Sequence, residues 1–250
     1  MEEWDADPDV LGVLLVGSKS RGHEDFRSDD DLEVLLTEEA FVRLTPSQCH
    51  AYLVEGEGPT RRVVYDAQLT SLAELERKRH SALDLDRWPY ERARVVFARD
   101  SRVAQAVLAA GRMDAEFRRA RLAHATVDGW FAARRALRTR ERGFEAAVAL
   151  LVARCTRALI RVLFALEWRW APLDHWLERE IATLEDRASA CDLALDALRG
   201  RSPEPVIAAF DRLEERLAEE GVARPAQRVA LFLELIHAGR RAERERHGLP

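Results

Sequence analysis

Residues Leu11 to Leu36, reading LGVLLVGSKSRGHEDFRSDDDLEVLL, constrain this chain more than any other stretch. Val13 to Val16 is an unbroken apolar run ending at Gly17, the pattern of a buried strand with an abrupt stop. Asp31 to Leu36 is a second short strand, with Leu32, Val34 and Leu36 on one face. Alternate strand positions share a face, so Asp29, Asp31 and Glu33 project together from the other.

Carboxylates held close repel one another when ionised. A divalent cation relieves that repulsion, and Mg²⁺ suits the task. It is hard, prefers oxygen ligands, and binds one or two carboxylates together with substrate phosphates. Between the strands, Gly17 and Ser18 offer backbone N–H groups to an anion, and Lys19 and Arg21 add positive charge. The segment therefore predicts a phosphate cradle beside a metal-binding pair. Two registers of that pair are open, Asp29 with Asp31 or Asp31 with Glu33.

Gly17-Ser18, Arg21-Gly22 and Ser28-Asp29-Asp30-Asp31-Leu32 together resemble the signature of the nucleotidyltransferase superfamily, the family of DNA polymerase β and kanamycin nucleotidyltransferase. Its pattern is a Gly-Ser pair, a spacer, then Asp-x-Asp on a strand. The resemblance favours Asp29 and Asp31 as the pair, with Asp30 pointing the opposite way. It also implies that Gly17, Ser18, Lys19, Arg21 and Ser28 bind the nucleotide.

Further on, Thr60 to Leu69 reads as a third strand carrying Asp66, a lone acid among apolar residues. Such a residue is costly to bury unless it is paired or bound to a cation. Ser71 can cap a following helix, with Glu74 placed as in a capping box. Strand, acid and capped helix resemble the segment carrying the family's third catalytic carboxylate, which implies that role for Asp66. His50 to Glu55 has strand character, Leu83 to Tyr90 reads as a loop, and Arg94 to Ala98 reads as another strand.

Near Gly111 the pattern changes to almost continuous helix. The expected fold class is α+β: a catalytic domain with a small mixed sheet over residues 1–110, then an all-α helical bundle over residues 111–250. Glu145 to Leu166 is the clearest helix, with Val148, Val152, Cys155, Leu159, Val162 and Leu166 on one stripe. Arg154, Arg157 and Arg161 form a second stripe, either a solvated face or a contact for nucleotide or acidic substrate. The tract around Trp168, Trp170, His175 and Trp176 resembles the helical domain of stand-alone bacterial nucleotidyltransferases, although His175 stands where relatives carry a lysine. The tryptophans are read as core. The last helix, from Pro225 to Arg244, ends in Arg and Glu residues expected in solvent.

Composition excludes several classes. A net charge of −5 does not suit a generic nucleic-acid binder. The start, MEEWDADPD, lacks the basic and apolar regions of a signal peptide, and no apolar run is long enough to cross a bilayer. Cys49, Cys155 and Cys191 fit neither a zinc site nor a disulfide framework. A cytoplasmic protein with reduced thiols is expected.

The resemblance implies an enzyme of the EC 2.7.7 type. It would move a nucleoside monophosphate from an NTP, ATP being the expected donor, to a hydroxyl of a small-molecule acceptor, aminoglycoside-like or otherwise polar. Asp29, Asp31 and Asp66 would hold two Mg²⁺ ions ~3.5–4 Å apart, clamping the attacking and leaving oxygens. The general base would come from the helical half, with Glu141 and Glu145 as candidates by order along the chain. Two other classes stay open: a protein-modifying, antitoxin-like adenylyltransferase, and a nucleotide-binding module without activity. The apolar helical stripes would permit a homodimer.

Overall fold

The computed structural model describes residues 2–246. The chain is α+β, with a five-stranded mixed sheet followed by a helical region. It divides into two compact units. One runs to Arg112 and takes in Pro172–Asp174; the other spans Met113–Ala171 and continues from His175.

In the first unit, α1 (Glu2–Ala6) leads into β1 (Val10–Leu15), α2 (Gly17–Arg21), β2 (Asp30–Leu36) and α3 (Glu38–Phe41). Then come β3 (His50–Glu55), β4 (Arg62–Ser71), α4 (Leu72–Arg79), α5 (Asp84–Arg87), β5 (Arg94–Ala98) and α6 (Arg102–Gly111). The strand order is β3-β4-β2-β1-β5. β2 and β4 run parallel, and the other neighbouring pairs are antiparallel.

The alternation read from β2 holds. Leu32, Val34 and Leu36 pack with Val10, Val13 and Ala67 on one face, against Ala40 of α3 and Trp4 of α1. Leu35 packs on the opposite face with Leu14, Val16, Leu75 and Val107. Asp31 and Glu33 share that second face, so it passes from acidic to apolar along a single strand. Ser71 caps α4 by accepting from the Glu74 N–H, as the sequence indicates.

The expected loop from Leu83 to Tyr90 is helical instead, as is the polar stretch between β1 and β2. Residues 83–90 form α5 and a 3-10 turn, Trp88–Glu91. Tertiary anchors hold them: Trp88 and Tyr90 are buried, and the Arg87 guanidinium donates to the carbonyls of Arg79, Ala110 and Arg112. Arg87 thereby caps the C-terminal ends of both α4 and α6, which local propensity cannot reveal. The stretch after Gly17 also winds into one helical turn. Gly17 at φ +66° turns the chain out of β1, Ser20 Oγ donates to the Gly17 carbonyl at 3.0 Å, and Gly22 at φ +70° closes the turn.

The second unit contains α7 (Ala115–Glu141), α8 (Glu145–Leu166), α9 (Leu177–Ile181), α10 (Cys191–Gly200), α11 (Glu204–Glu219) and α12 (Pro225–Arg246). α7 and α8 form a helical hairpin joined by a short turn. The whole predicted stripe of α8, from Val148 to Leu166, is buried. Gly129 lets α11 approach α7, because a Cβ there would lie 2.7 Å from the Phe210 ring. Arg118 donates to the Ala165 and Leu166 carbonyls at the end of α8 and pairs with Glu220. Trp170 is core, its ring 4.8 Å from that of Phe117 and tilted by 37°, whereas Trp168 is half exposed beneath Arg118. Arg154 is exposed and paired with Asp128 at 2.5 Å. Solvent exposure of the Arg- and Glu-rich end of α12 falls outside the described residues. Among the described residues, no helix is long and apolar enough to cross a membrane.

Candidate active site

The parallel ladder between β2 and β4 pairs Asp31 with Asp66. Parallel neighbours in register share a face, so the two carboxylates stand side by side on the sheet. They line a cavity of about 400 Å³ whose wall also includes Val16, Glu33, Cys49 and His50.

Gly17 packs directly against Asp31. A Cβ on Gly17 would lie 1.8 Å from Asp31 Oδ2, so no other residue leaves that carboxylate its place. The positive φ at Gly17 makes the same demand independently. The Ser18 N–H donates to the Asp31 side chain, and the Val16 N–H donates to the Asp31 carbonyl at 2.8 Å. The Gly-Ser pair and the aspartate thus form one local unit.

The Asp31 carboxyl is pushed up to about 6. Burial is the largest cause, followed by the charges of Asp29 and Asp66 and, more weakly, Asp30; the Ser18 hydrogen bond opposes them. The group sits among like charges, which favour its protonated form.

The remaining sequence candidates fall in different places. Asp29 immediately precedes β2, close enough to act on Asp31. Asp30 pairs with Lys19 at 2.7 Å, so Lys19 is partly exposed and already engaged. Arg21 is not a phosphate-facing cation. Its guanidinium lies 3.8 Å over the Trp88 ring, donates to the Trp88 carbonyl and meets Glu91, and the side chain is 2% exposed. Burial by a residue far along the chain removes it from the role expected of it. Ser28 closes a turn with Asp25, its Oγ accepting from the Asp25 N–H at 2.9 Å. Glu141 and Glu145 are exposed, at the end of α7 and the start of α8, near Arg140.

Glu33 is buried and spent. The Tyr90 hydroxyl donates to its two oxygens at 2.7 and 2.6 Å, and Lys78 Nζ reaches it at 3.3 Å and also bonds the Tyr90 hydroxyl. Burial and the Glu33 charge raise the Tyr90 phenol far above its ordinary value, so it remains a donor. The register pairing Asp31 with Glu33 is therefore disfavoured, and Asp66 is the partner that the fold supplies.

Sequence reading missed His50, whose Nε2 lies 2.5 Å from Asp66 Oδ1. Its position at the start of a strand-like run was visible, but its partner was not.

Among the described residues, no group of three or more His, Cys, Asp or Glu is arranged to hold a metal ion. The oxygen donors nevertheless fit Mg²⁺, which commonly takes one or two carboxylates and completes its shell with water and substrate phosphates. The space cleared at Gly17 for Asp31 Oδ2 and the mutual repulsion of Asp29, Asp31 and Asp66 agree with that fit.

No family model matches the chain, and no curated protein matches it. Among solved structures, it is similar to a nucleotidyltransferase-like protein from Exiguobacterium sibiricum 255-15 at 16% sequence identity, with a TM-score of 0.47, over 88% of this chain and 72% of that one.

Proposed function

We propose that the chain is a Mg²⁺-dependent nucleotidyltransferase that moves a nucleoside monophosphate from an NTP, ATP foremost, to a hydroxyl of a small polar acceptor. The observation carrying this reading is the unit of Gly17, Ser18, Asp31 and Asp66: a glycine that makes room for one carboxylate, a backbone N–H that fixes it, and a second carboxylate in register beside it. The sequence resemblance gives that unit its chemistry.

In this reading Asp31 and Asp66, with Asp29 alongside, would hold the divalent cations. A cation held there would supply charge neutralisation for the triphosphate. Gly17 and Ser18 keep the Asp31 carboxylate in one orientation, so positioning is complete before substrate arrives. Lys19 would exchange Asp30 for a phosphate oxygen, since its pair with Asp30 is partly exposed and such pairs are weak. Arg21 acts at a distance, tying α2 to the Trp88 turn. Glu141 and Glu145 remain the proposed bases for the acceptor hydroxyl.

Pyrophosphate release, measured with each NTP against a panel of polar hydroxyl acceptors, tests the proposal. Release that requires Mg²⁺ and disappears in Asp31→Asn supports it. Equal release by the parent and Asp31→Asn contradicts the assignment.

A further inference from the structure

One contact in the cavity wall has no part in the nucleotidyl-transfer reading. His50 opens β3, and its Nε2 meets Asp66 Oδ1 at 2.5 Å. The hairpin register creates the contact. β3 and β4 pair Tyr52 with Asp66 and His50 with Gln68, which sets His50 one diagonal step from Asp66. His50, Asp66 and Asp31 then line the same cavity.

An ionised carboxylate can only accept hydrogen bonds, so Nε2 carries the hydrogen in this contact. Asp66 Oδ1 is held by the imidazole, and Oδ2 is the oxygen that this contact leaves unengaged. Both side chains are about half exposed, at 51% and 43%. Exposed pairs of this kind contribute little to stability, so a purely structural role predicts little consequence on removal. A ligating carboxylate gains more from such a partner, because an outer hydrogen bond fixes its orientation.

We infer that His50 is a positioning residue that holds the Asp66 carboxylate in the orientation for binding a divalent cation with Asp31. The inference rests on the nucleotidyltransferase reading of those two aspartates. It assigns β3 a part in the site beyond completing the sheet edge.

The test is titration of the full-length protein with Mn²⁺ alone, read from the free-ion electron paramagnetic resonance signal. Parent, His50→Ala, His50→Gln and Asp31→Asn are compared, with a thermal melt of each. His50→Ala is expected to bind Mn²⁺ ~10–100-fold more weakly than the parent with an unchanged melting midpoint. His50→Gln keeps an N–H within reach of Asp66 and is expected to recover most of that loss. Affinity in His50→Ala equal to or tighter than the parent, with binding lost in Asp31→Asn, overturns the inference and leaves the cation site standing. A parent that binds no Mn²⁺, or an Asp31→Asn protein that binds as the parent does, overturns the underlying reading and this inference with it.

Discussion

Asp31 on β2 and Asp66 on β4 are register partners in a parallel ladder, so two like charges face one cavity from adjacent strands. Burial and the neighbouring aspartates hold the Asp31 proton more tightly than water does. A fold keeps such an arrangement at a cost in stability, and that cost is measurable.

The native Asp31 value is raised from 3.8 to about 6, so the folded state binds the extra proton between those values. Stability from this group is therefore present in acid and falls as pH rises through that window. Asp31→Asn removes the dependence. Allowing for partial solvent screening, the variant should be more stable by roughly 1–2 kcal/mol above pH 6.5, with the gain vanishing near pH 4. Urea denaturation at both pH values checks this, and equal stability at neutral pH would contradict the account of the site.

Gly17→Ala should damage the same unit from the other side. The backbone at φ +66° alone costs about 1–3 kcal/mol for a residue with a Cβ. The added methyl would also displace the Asp31 carboxylate, which lies 1.8 Å from where it would stand. A variant that melted with the parent and retained Mn²⁺ binding would show that the close packing of Gly17 on Asp31 is dispensable.

Tyr90→Phe leaves the buried Glu33 carboxylate without its nearest donor. An unsatisfied buried acceptor costs about 1–3 kcal/mol, more when charged. The same loss should be smaller in a Glu33→Gln background, because the charge is gone. A double-mutant cycle by denaturant unfolding reads the coupling, and additivity would argue against a Glu33-Tyr90-Lys78 network.

In the helical unit, Arg118→Met removes the donor to the Ala165 and Leu166 carbonyls and the partner of Glu220. Breaking a buried ion pair of this kind costs about 3–5 kcal/mol, and the partial exposure of Glu220 places the expectation at the lower end. Chemical denaturation followed by far-ultraviolet circular dichroism would register it as an earlier loss of helix. An unchanged midpoint would mean that the end of α8 is stabilised by other groups.

What was legible in the sequence was local and periodic. The alternation along Leu32, Val34 and Leu36 and the stripe of α8 each express a short-range rule, and each stands in the structure as read. The Gly17-Ser18 pair was legible as a special turn, but its packing on Asp31 was not. Arg21 was misread because its charge is taken up by Trp88 and Glu91, residues distant in sequence that reach it only through tertiary packing. The helical turns of residues 84–91 depend likewise on Arg87 bonding carbonyls of two other helices. His50 could not be paired with Asp66 in advance. Their contact follows from a hairpin register that shifts at a bulge between Leu53 and Val54, which residue spacing does not encode.

The most direct measurement is the thermal melt of parent and Asp31→Asn with each NTP, with and without Mg²⁺. A ligand at ~100 times its dissociation constant adds about 2.7 kcal/mol, a shift that is plainly visible. The account predicts a Mg²⁺-dependent rise with at least one NTP, ATP first, that Asp31→Asn lacks. No shift of the parent with any NTP and Mg²⁺, or the same shift in both proteins, would contradict a nucleotide site built on Asp31.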